Sequence, residues 1–357
     1  MSTQTIVPTP DSTLEQPTHR GAGTGSSAPI RRRSRIRLIR GVNKARVLDL
    51  LAVPVAIVLS LTGWLIRRIG VDRLPLALGM MRKFGIFPIR DHYYEPLFNP
   101  AHLRKPLDED RPLPGIDWNV AEQLDLLKNF QFNQELMAFS VERRNEREFC
   151  YDNVVFGAGD AEYLYNVIRF FVPRRVIEIG SGQSTLMARH AIEANRRANP
   201  ESVCEHICIE PYEAEWLDEL DVKVIRTPVE LVDKELFRSL TANDILFIDS
   251  SHMIRPQGDV LFEYLEILPT LNPGVLIHVH DIFSPRDYPE DWISRRVRLW
   301  NEQYLLEAFL CFNDAFKIIG ALNFLKHHHP TELAGCCPIL SEQMDSREPG
   351  SFWMRRA

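Results

Sequence analysis

The sequence predicts an α/β protein built on a doubly wound, mostly parallel sheet and preceded by a basic, apolar N-terminal segment. Three observations lead there. Short β-branched stretches recur from residue 175 onward with helical text between them, glycine or a polar residue closes most of these stretches, and positive charge is concentrated in the first quarter of the chain. Strands alternating with helices pair in parallel, and sheets of that kind bind ligands at the carboxyl ends of their strands.

At 357 residues the chain fits one large domain with additional segments. Hydrophobic residues at 45% and charged residues at 25% exclude a chain disordered throughout, a collagen-like repeat or a multi-span membrane protein. The six cysteines form no CxxC pair. Reduced, packed thiols and a cytosolic setting are expected. Residues 1–90 carry 15 Lys and Arg against 4 Asp and Glu, whereas the remainder is strongly acidic, so the net charge of −6 conceals two parts of opposite sign. The leader is expected to meet an anionic membrane surface and the body to be soluble, with no nucleic-acid partner.

Residues 1–45 read as a disordered basic tail, Ser/Thr/Pro/Gly-rich to residue 30 and arginine-rich after it. Residues 46–90 read as membrane-associated, because the run Leu50–Ile66 is free of charge and is closed by Arg67 and Arg68. Seventeen helical residues at about 1.5 Å each reach roughly 26 Å, short of a ~30 Å hydrocarbon core, and Pro54 interrupts the run. Both flanks are basic, which favours monotopic attachment at the cytoplasmic face over a single span. A buried core helix is the alternative. Residues 91–115 are rich in proline and charge and read as a linker wrapped on the body, residues 116–357.

Within the body, Val120, Leu124, Leu127, Phe130, Leu136 and Met137 fall near helical spacing, predicting one or two helices over 117–140. Val176–Ile179 is the first strand, Gly180-Ser181-Gly182 a turn, and residues 183–198 a helix. Ile207–Ile209 ends at Glu210, Val222–Ile225 is a third strand, Ile245–Ile248 ends at Asp249, and Val275–Val279 ends at His280 and Asp281. A sixth strand over 315–320 and a seventh over 351–355, antiparallel beside it, complete the sheet. A glycine turn after the first strand lets backbone approach a ligand, and a helix beginning near Ser184 presents unpaired N–H groups, although glycines there also serve a plain tight turn. Glu210 stands where an acid accepts hydrogen bonds from ribose hydroxyls; a solvated loop acid is the alternative.

Glu178-Ile179-Gly180-Ser181-Gly182-Gln183-Ser184-Thr185 resembles motif I of class I S-adenosylmethionine-dependent methyltransferases, in the EIGSGxST form of the branch that includes macrocin O-methyltransferase-like and cephalosporin-hydroxylase-like proteins. The resemblance covers about residues 150–325. It implies a Rossmann-like, seven-strand methyltransferase sheet and S-adenosylmethionine as cofactor, bound by Glu178, Gly180, Ser181, Gly182, Ser184, Glu210 and Asp249. Ser184 replaces the third glycine of the commoner motif. An NAD-binding unit would need glycine or alanine at Thr185, and Glu178 inside the first strand is unusual for it.

Asp249, His252, His280 and Asp281 are the candidate catalytic residues, with either histidine as a base for a hydroxyl acceptor. Alternatively Asp249, His280 and Asp281 hold Mg²⁺, as the resemblance to metal-assisted O-methyltransferases implies. The segment Asp281–Trp292 resembles an aromatic substrate lid, and residues 153–162 a cover over the cofactor. His327–His329 with Cys336 and Cys337 read as surface loop, since adjacent cysteines rarely share one tetrahedral ion. The expected function is O-methylation of a glycan, lipid-linked or secondary-metabolite acceptor at the cytoplasmic membrane face. The rivals are an NAD-dependent oxidoreductase and a non-catalytic membrane-bound protein that retains the fold.

Overall fold

The computed structural model describes residues 33–357 except Phe98, Arg144, Glu146 and Glu213, and the chain divides into two units, Met1–Arg90 and Asp91–Ala357. The Ser/Thr/Pro/Gly-rich text read as disordered falls in residues 1–32, outside the described residues.

In the first unit one helix runs from Arg33 to Ile69, with Pro54 inside it. It therefore begins within the segment expected to be a disordered tail. Arginine, leucine and lysine are good helix formers, so the basic run propagates the apolar helix backward instead of fraying from it. The stretch Lys44–Ile69 is long and apolar enough to cross a membrane, and none of its most apolar window is buried. Leu50, Leu51, Val55, Val58, Leu59 and Leu61 are all exposed. A second helix, Pro75–Phe84, ends at Gly85, whose φ of +68° suits glycine.

The second unit is organised by a seven-stranded sheet of order β3-β2-β1-β4-β5-β7-β6. The strands are β1 Arg175–Ile179, β2 Glu205–Ile209, β3 Lys223–Ile225, β4 Ile245–Ile248, β5 Leu276–Val279, β6 Phe316–Ala321 and β7 Phe352–Arg356. The first five pair in parallel, while β7 is antiparallel to both β5 and β6. β7 is thus inserted between β5 and β6, where sequence reasoning placed it only beside β6.

Both faces of the sheet are covered, as a parallel sheet requires. On one face Val176, Ile245, Phe247, Leu276 and Trp353 pack with Leu164 and Ile168 of helix Asp160–Phe171 and with Leu186 and Met187 of helix Gln183–Ala198. On the other, Ile177, Ile179, Leu246, Ile248 and Ile277 pack with Phe237, Ile267 and Leu306. Helices Val120–Asn129 and Asn133–Leu136 stand where helical spacing was seen.

Buried carboxylates of helix Asp160–Phe171 tie the C-terminal segment down. Asp160 accepts hydrogen bonds from the amides of Gly350 and Ser351 at 2.9 and 2.7 Å, and Glu162 from those of Gly159, Ile339 and Leu340. Residues 91–115 belong to the second unit. Asp110 pairs with Arg286 and His328, and Arg111 with Glu307, so the expected linker is a strap ionically fastened to the body. A cavity of about 680 Å³ lies under this strap, lined in part by Leu107, Phe283, Tyr288 and Asn323 and by none of the four candidate catalytic residues. The expected surface loop is instead helical: His327 and His328 end helix Leu322–His328 and are each held by a carboxylate, Cys336 ends helix Pro330–Cys336, Cys336 and Cys337 are buried in the core, and all six cysteines are free thiols.

Candidate active site

The strand order reverses between β1 and β4, and a crevice at such a switch point is where doubly wound sheets bind ligands. Gly180 follows β1 and Asp249 follows β4. The amide of Asp249 donates to the carbonyl of Ile179 at 2.8 Å, and that of Gly180 to the carbonyl of Ile209 at 3.1 Å, so three strand ends are laced together. Gly180 has φ +79°, and a Cβ there would lie 1.9 Å from the carbonyl oxygen of Asp249. No other residue fits. At Gly182 the position of a Cβ has no protein atom within 4 Å, which leaves open space beside the turn.

The turn is closed by Thr185, whose hydroxyl accepts from the Gly182 amide at 3.1 Å and donates to Glu178 at 2.6 Å. A side chain thus occupies the position at which a dinucleotide fingerprint needs glycine. Glu178 is fully buried and also meets His206 at 3.1 Å and Cys208 at 3.5 Å. Expected to touch cofactor, this carboxylate braces the turn through Thr185 with one oxygen, while the other is buried without a hydrogen-bond partner among the described residues. Ser184 is buried as well. Glu210, in contrast, reaches back to the turn, accepting from the amide of Ser181 at 3.4 Å and from that of Tyr212 at 3.0 Å. The acid after β2 and the glycine turn after β1 converge. Gln183, at the helix start, keeps a buried side-chain oxygen without a hydrogen-bond partner among the described residues.

The four candidate catalytic residues form one cluster. His252 Nε2 lies 3.3 Å from Asp249 and 3.6 Å from Asp281, and His280 Nδ1 lies 3.5 Å from each of the same carboxylates. The other nitrogen of His252 meets Glu302 at 2.8 Å. His252 and Asp281 both have positive φ, +58° and +56°, conformations that persist only when the surroundings enforce them. The amide of Asn301 donating to the carbonyl of His252 at 3.1 Å is one such constraint.

Charge in this cluster is strongly coupled. Burial opposes ionisation of Asp249, yet the charges and hydrogen bonds of His280 and His252 hold its carboxyl far below the ordinary range. Burial likewise opposes protonation of His280, but Asp281 and Asp249 push it up to about 10. Asp249 and Glu302 raise His252 well above the ordinary imidazole range against the same opposition. Burial raises Asp281 and Glu302, with the histidines working the other way. The surrounding carboxylates thus favour the protonated form of both imidazoles.

Donor atoms of Asp249, His280 and Asp281 lie within 4.8 Å of one another, close enough for one ion. Carboxylate oxygens with an imidazole nitrogen form a softer set than the all-oxygen shell Mg²⁺ selects, and suit Mn²⁺, Fe²⁺ or Zn²⁺ better.

Sequence reasoning missed Glu302. It opens helix Glu302–Leu310 in phase with the buried Leu306 and Leu310, and an acid on an apolar helical face was the available signal. Phe156, in the segment expected to cover the cofactor, has its ring centre 5.2 Å from that of His280.

Residues 177–282 match a family model described as a methyltransferase domain. The matched region carries β2 to β5, most of β1, the glycine turn and the Asp249–Asp281 cluster of a doubly wound sheet. The chain belongs to the same family as a protein of Archaeoglobus fulgidus described as uncharacterized, to which it is 30% identical over 173 residues, 45% of this chain and 76% of that one. Among solved structures it is similar to an O-methyltransferase from Bacillus cereus in complex with SAH, at 11% identity and a TM-score of 0.31, covering 66% of this chain and 90% of the other. It is also similar to the MycE methyltransferase of the mycinamycin biosynthetic pathway, in complex with Mg and SAH, at 15% identity and a TM-score of 0.27, covering 55% and 49%.

Proposed function

We propose that this chain is an S-adenosylmethionine-dependent O-methyltransferase, attached to the cytoplasmic face of a membrane and acting on a small-molecule or lipid-linked hydroxyl acceptor. The observation that supports the reading above all others is the convergence of Glu210 on the Gly180–Gly182 turn beside Asp249. Glu210 would hold the ribose hydroxyls, and the backbone from Gly180 to Gly182, with the open space at Gly182, would hold the amino-acid part. When bound, the cofactor supplies an electrophilic methyl group for in-line displacement.

The chain's own residues orient the acceptor and manage its proton. Asp249 and Asp281 line one spot, and His252 is held at that spot by Glu302 from behind. A divalent cation held by Asp249, His280 and Asp281 would lower the pKa of the acceptor hydroxyl, and the mixed donor set favours Mn²⁺ over Mg²⁺. Attachment rests on the helix Lys44–Ile69, whose charge-free run Leu50–Ile66 exposes mostly apolar side chains, with basic flanks suited to anionic lipid. The chain is expected to stay with membranes in high salt and to leave them in detergent; release by salt alone would show that charge, not the helix, holds it.

Titration calorimetry of the full-length protein in detergent with S-adenosylhomocysteine tests the donor site. Binding is expected, and Glu210→Ala should weaken it by about tenfold or more, the loss of a charged hydrogen-bonding partner. Unchanged affinity would remove the ribose assignment. A parallel titration with Mn²⁺ should show binding that Asp249→Asn weakens at least about tenfold, together with the rate of methyl transfer. Equal affinity in that variant would leave Asp249 without a metal role.

A further inference from the structure

The segment between β5 and helix Glu302–Leu310 carries Arg286, Arg295, Arg296 and Arg298, and three of these are accounted for, Arg286 by Asp110. Arg295 and Arg296 both pair with Asp291, at 2.5 and 2.8 Å. Arg298 is placed differently. Its guanidinium carbon lies 4.4 Å from the ring centre of Trp292 and 4.1 Å from that of Trp300, and the group makes no hydrogen bond or ion pair among the described residues. The two indoles meet edge to face, 5.3 Å apart, and Trp300 also lies 4.4 Å from the ring of His252. One indole therefore joins the arginine to the catalytic cluster.

The backbone is built to put it there. Val297 has φ +52°, a costly conformation for a β-branched residue, and the amide of Arg298 donates to the carbonyl of Trp292 at 2.9 Å. Asp281 attracts the guanidinium without pairing with it, being engaged with His252 and His280. Contacts with indole rings hold a guanidinium in place while leaving its N–H donors unused. Those donors form a fork that matches carboxylate and phosphate oxygens.

We propose that Arg298 is a specificity-determining residue that grips an anionic group, carboxylate or phosphate, on the acceptor whose hydroxyl is presented at Asp249 and Asp281. This rests on the methyltransferase reading and names the class of its substrate: a hydroxyl compound bearing an acid group. Holding the side chain against two indoles before binding removes part of the ordering cost of gripping the ligand.

The test uses full-length protein in detergent, saturated with S-adenosylhomocysteine, and three matched probes: glycolate, 2-hydroxyethyl phosphate and ethylene glycol. By titration calorimetry, at least one anionic probe is expected to bind about tenfold or more tighter than the neutral diol, about 1.4 kcal/mol. Whichever anion is favoured identifies a carboxylate or a phosphate acceptor. Arg298→Met should abolish the preference and Arg298→Lys retain part of it, with affinity for S-adenosylhomocysteine and thermal stability unchanged in both. A diol that binds as well as the anions, anions that do not bind, or a preference that survives in Arg298→Met would overturn the assignment. Failure of the wild-type protein to bind S-adenosylhomocysteine sinks the methyltransferase reading itself, and is separately visible.

Discussion

Removal of residues 351–357 is expected to leave no folded, soluble protein. Those residues contain β7, which supplies the antiparallel ladder on both of its sides, to β5 and to β6. Without it β5 exposes an unpaired edge and β6 has no strand partner. Phe352, Trp353 and Met354 are at most 2% exposed. Losing a buried aromatic side chain costs about 3–5 kcal/mol and a buried methionine about 2–5, so these three together exceed much of the roughly 5–15 kcal/mol that stabilises a typical protein. The amide of Ser351, which Asp160 holds, goes as well. Expression of the truncated chain with a circular dichroism melt is the measurement. A soluble product melting within a few degrees of the intact chain would refute the structural role of β7.

Gly180→Ala is expected to lower the melting temperature by about 4–20 °C and to impair cofactor binding at the same time. A non-glycine residue at φ +79° costs about 1–2 kcal/mol on conformation alone. The new methyl would also meet the Asp249 carbonyl oxygen at 1.9 Å, and relieving such an overlap typically costs a further 1–3 kcal/mol or so. For a chain of this size each kcal/mol shifts the midpoint by about 2–4 °C. Relief must come from moving the turn or Asp249. Because both belong to the proposed cofactor site, affinity for S-adenosylhomocysteine should fall with stability. An unchanged melt with unchanged affinity would mean that the turn is not confined as described. Gly182→Ala is the informative contrast, since its methyl enters open space. Its melt should move little while its cofactor affinity falls.

Local pattern made much of this protein legible. β4 falls at the expected residues, β1, β2, β3, β5 and β6 within two residues of them, and the helix Gln183–Ala198 coincides with its prediction. Strand text, glycine turns and helix starts are encoded by neighbouring residues, so their positions, and with them the strand-end set Gly180, Glu210, Asp249, His280 and Asp281, can be read along the chain. The basic run from Arg33, expected to belong to a disordered tail, lies in the same helix as the apolar run. Four further features were decided only by packing. β7 lies between β5 and β6, Glu178 bonds Thr185 under the glycine loop, Glu302 backs His252 from fifty residues away, and Arg298 rests against both Trp292 and Trp300. The upward pKa shifts of His252 and His280 follow from the same cause. An imidazole's charge depends on which carboxylates stand within a few ångströms, and that proximity comes from strand order and loop path, which no local stretch of residues encodes.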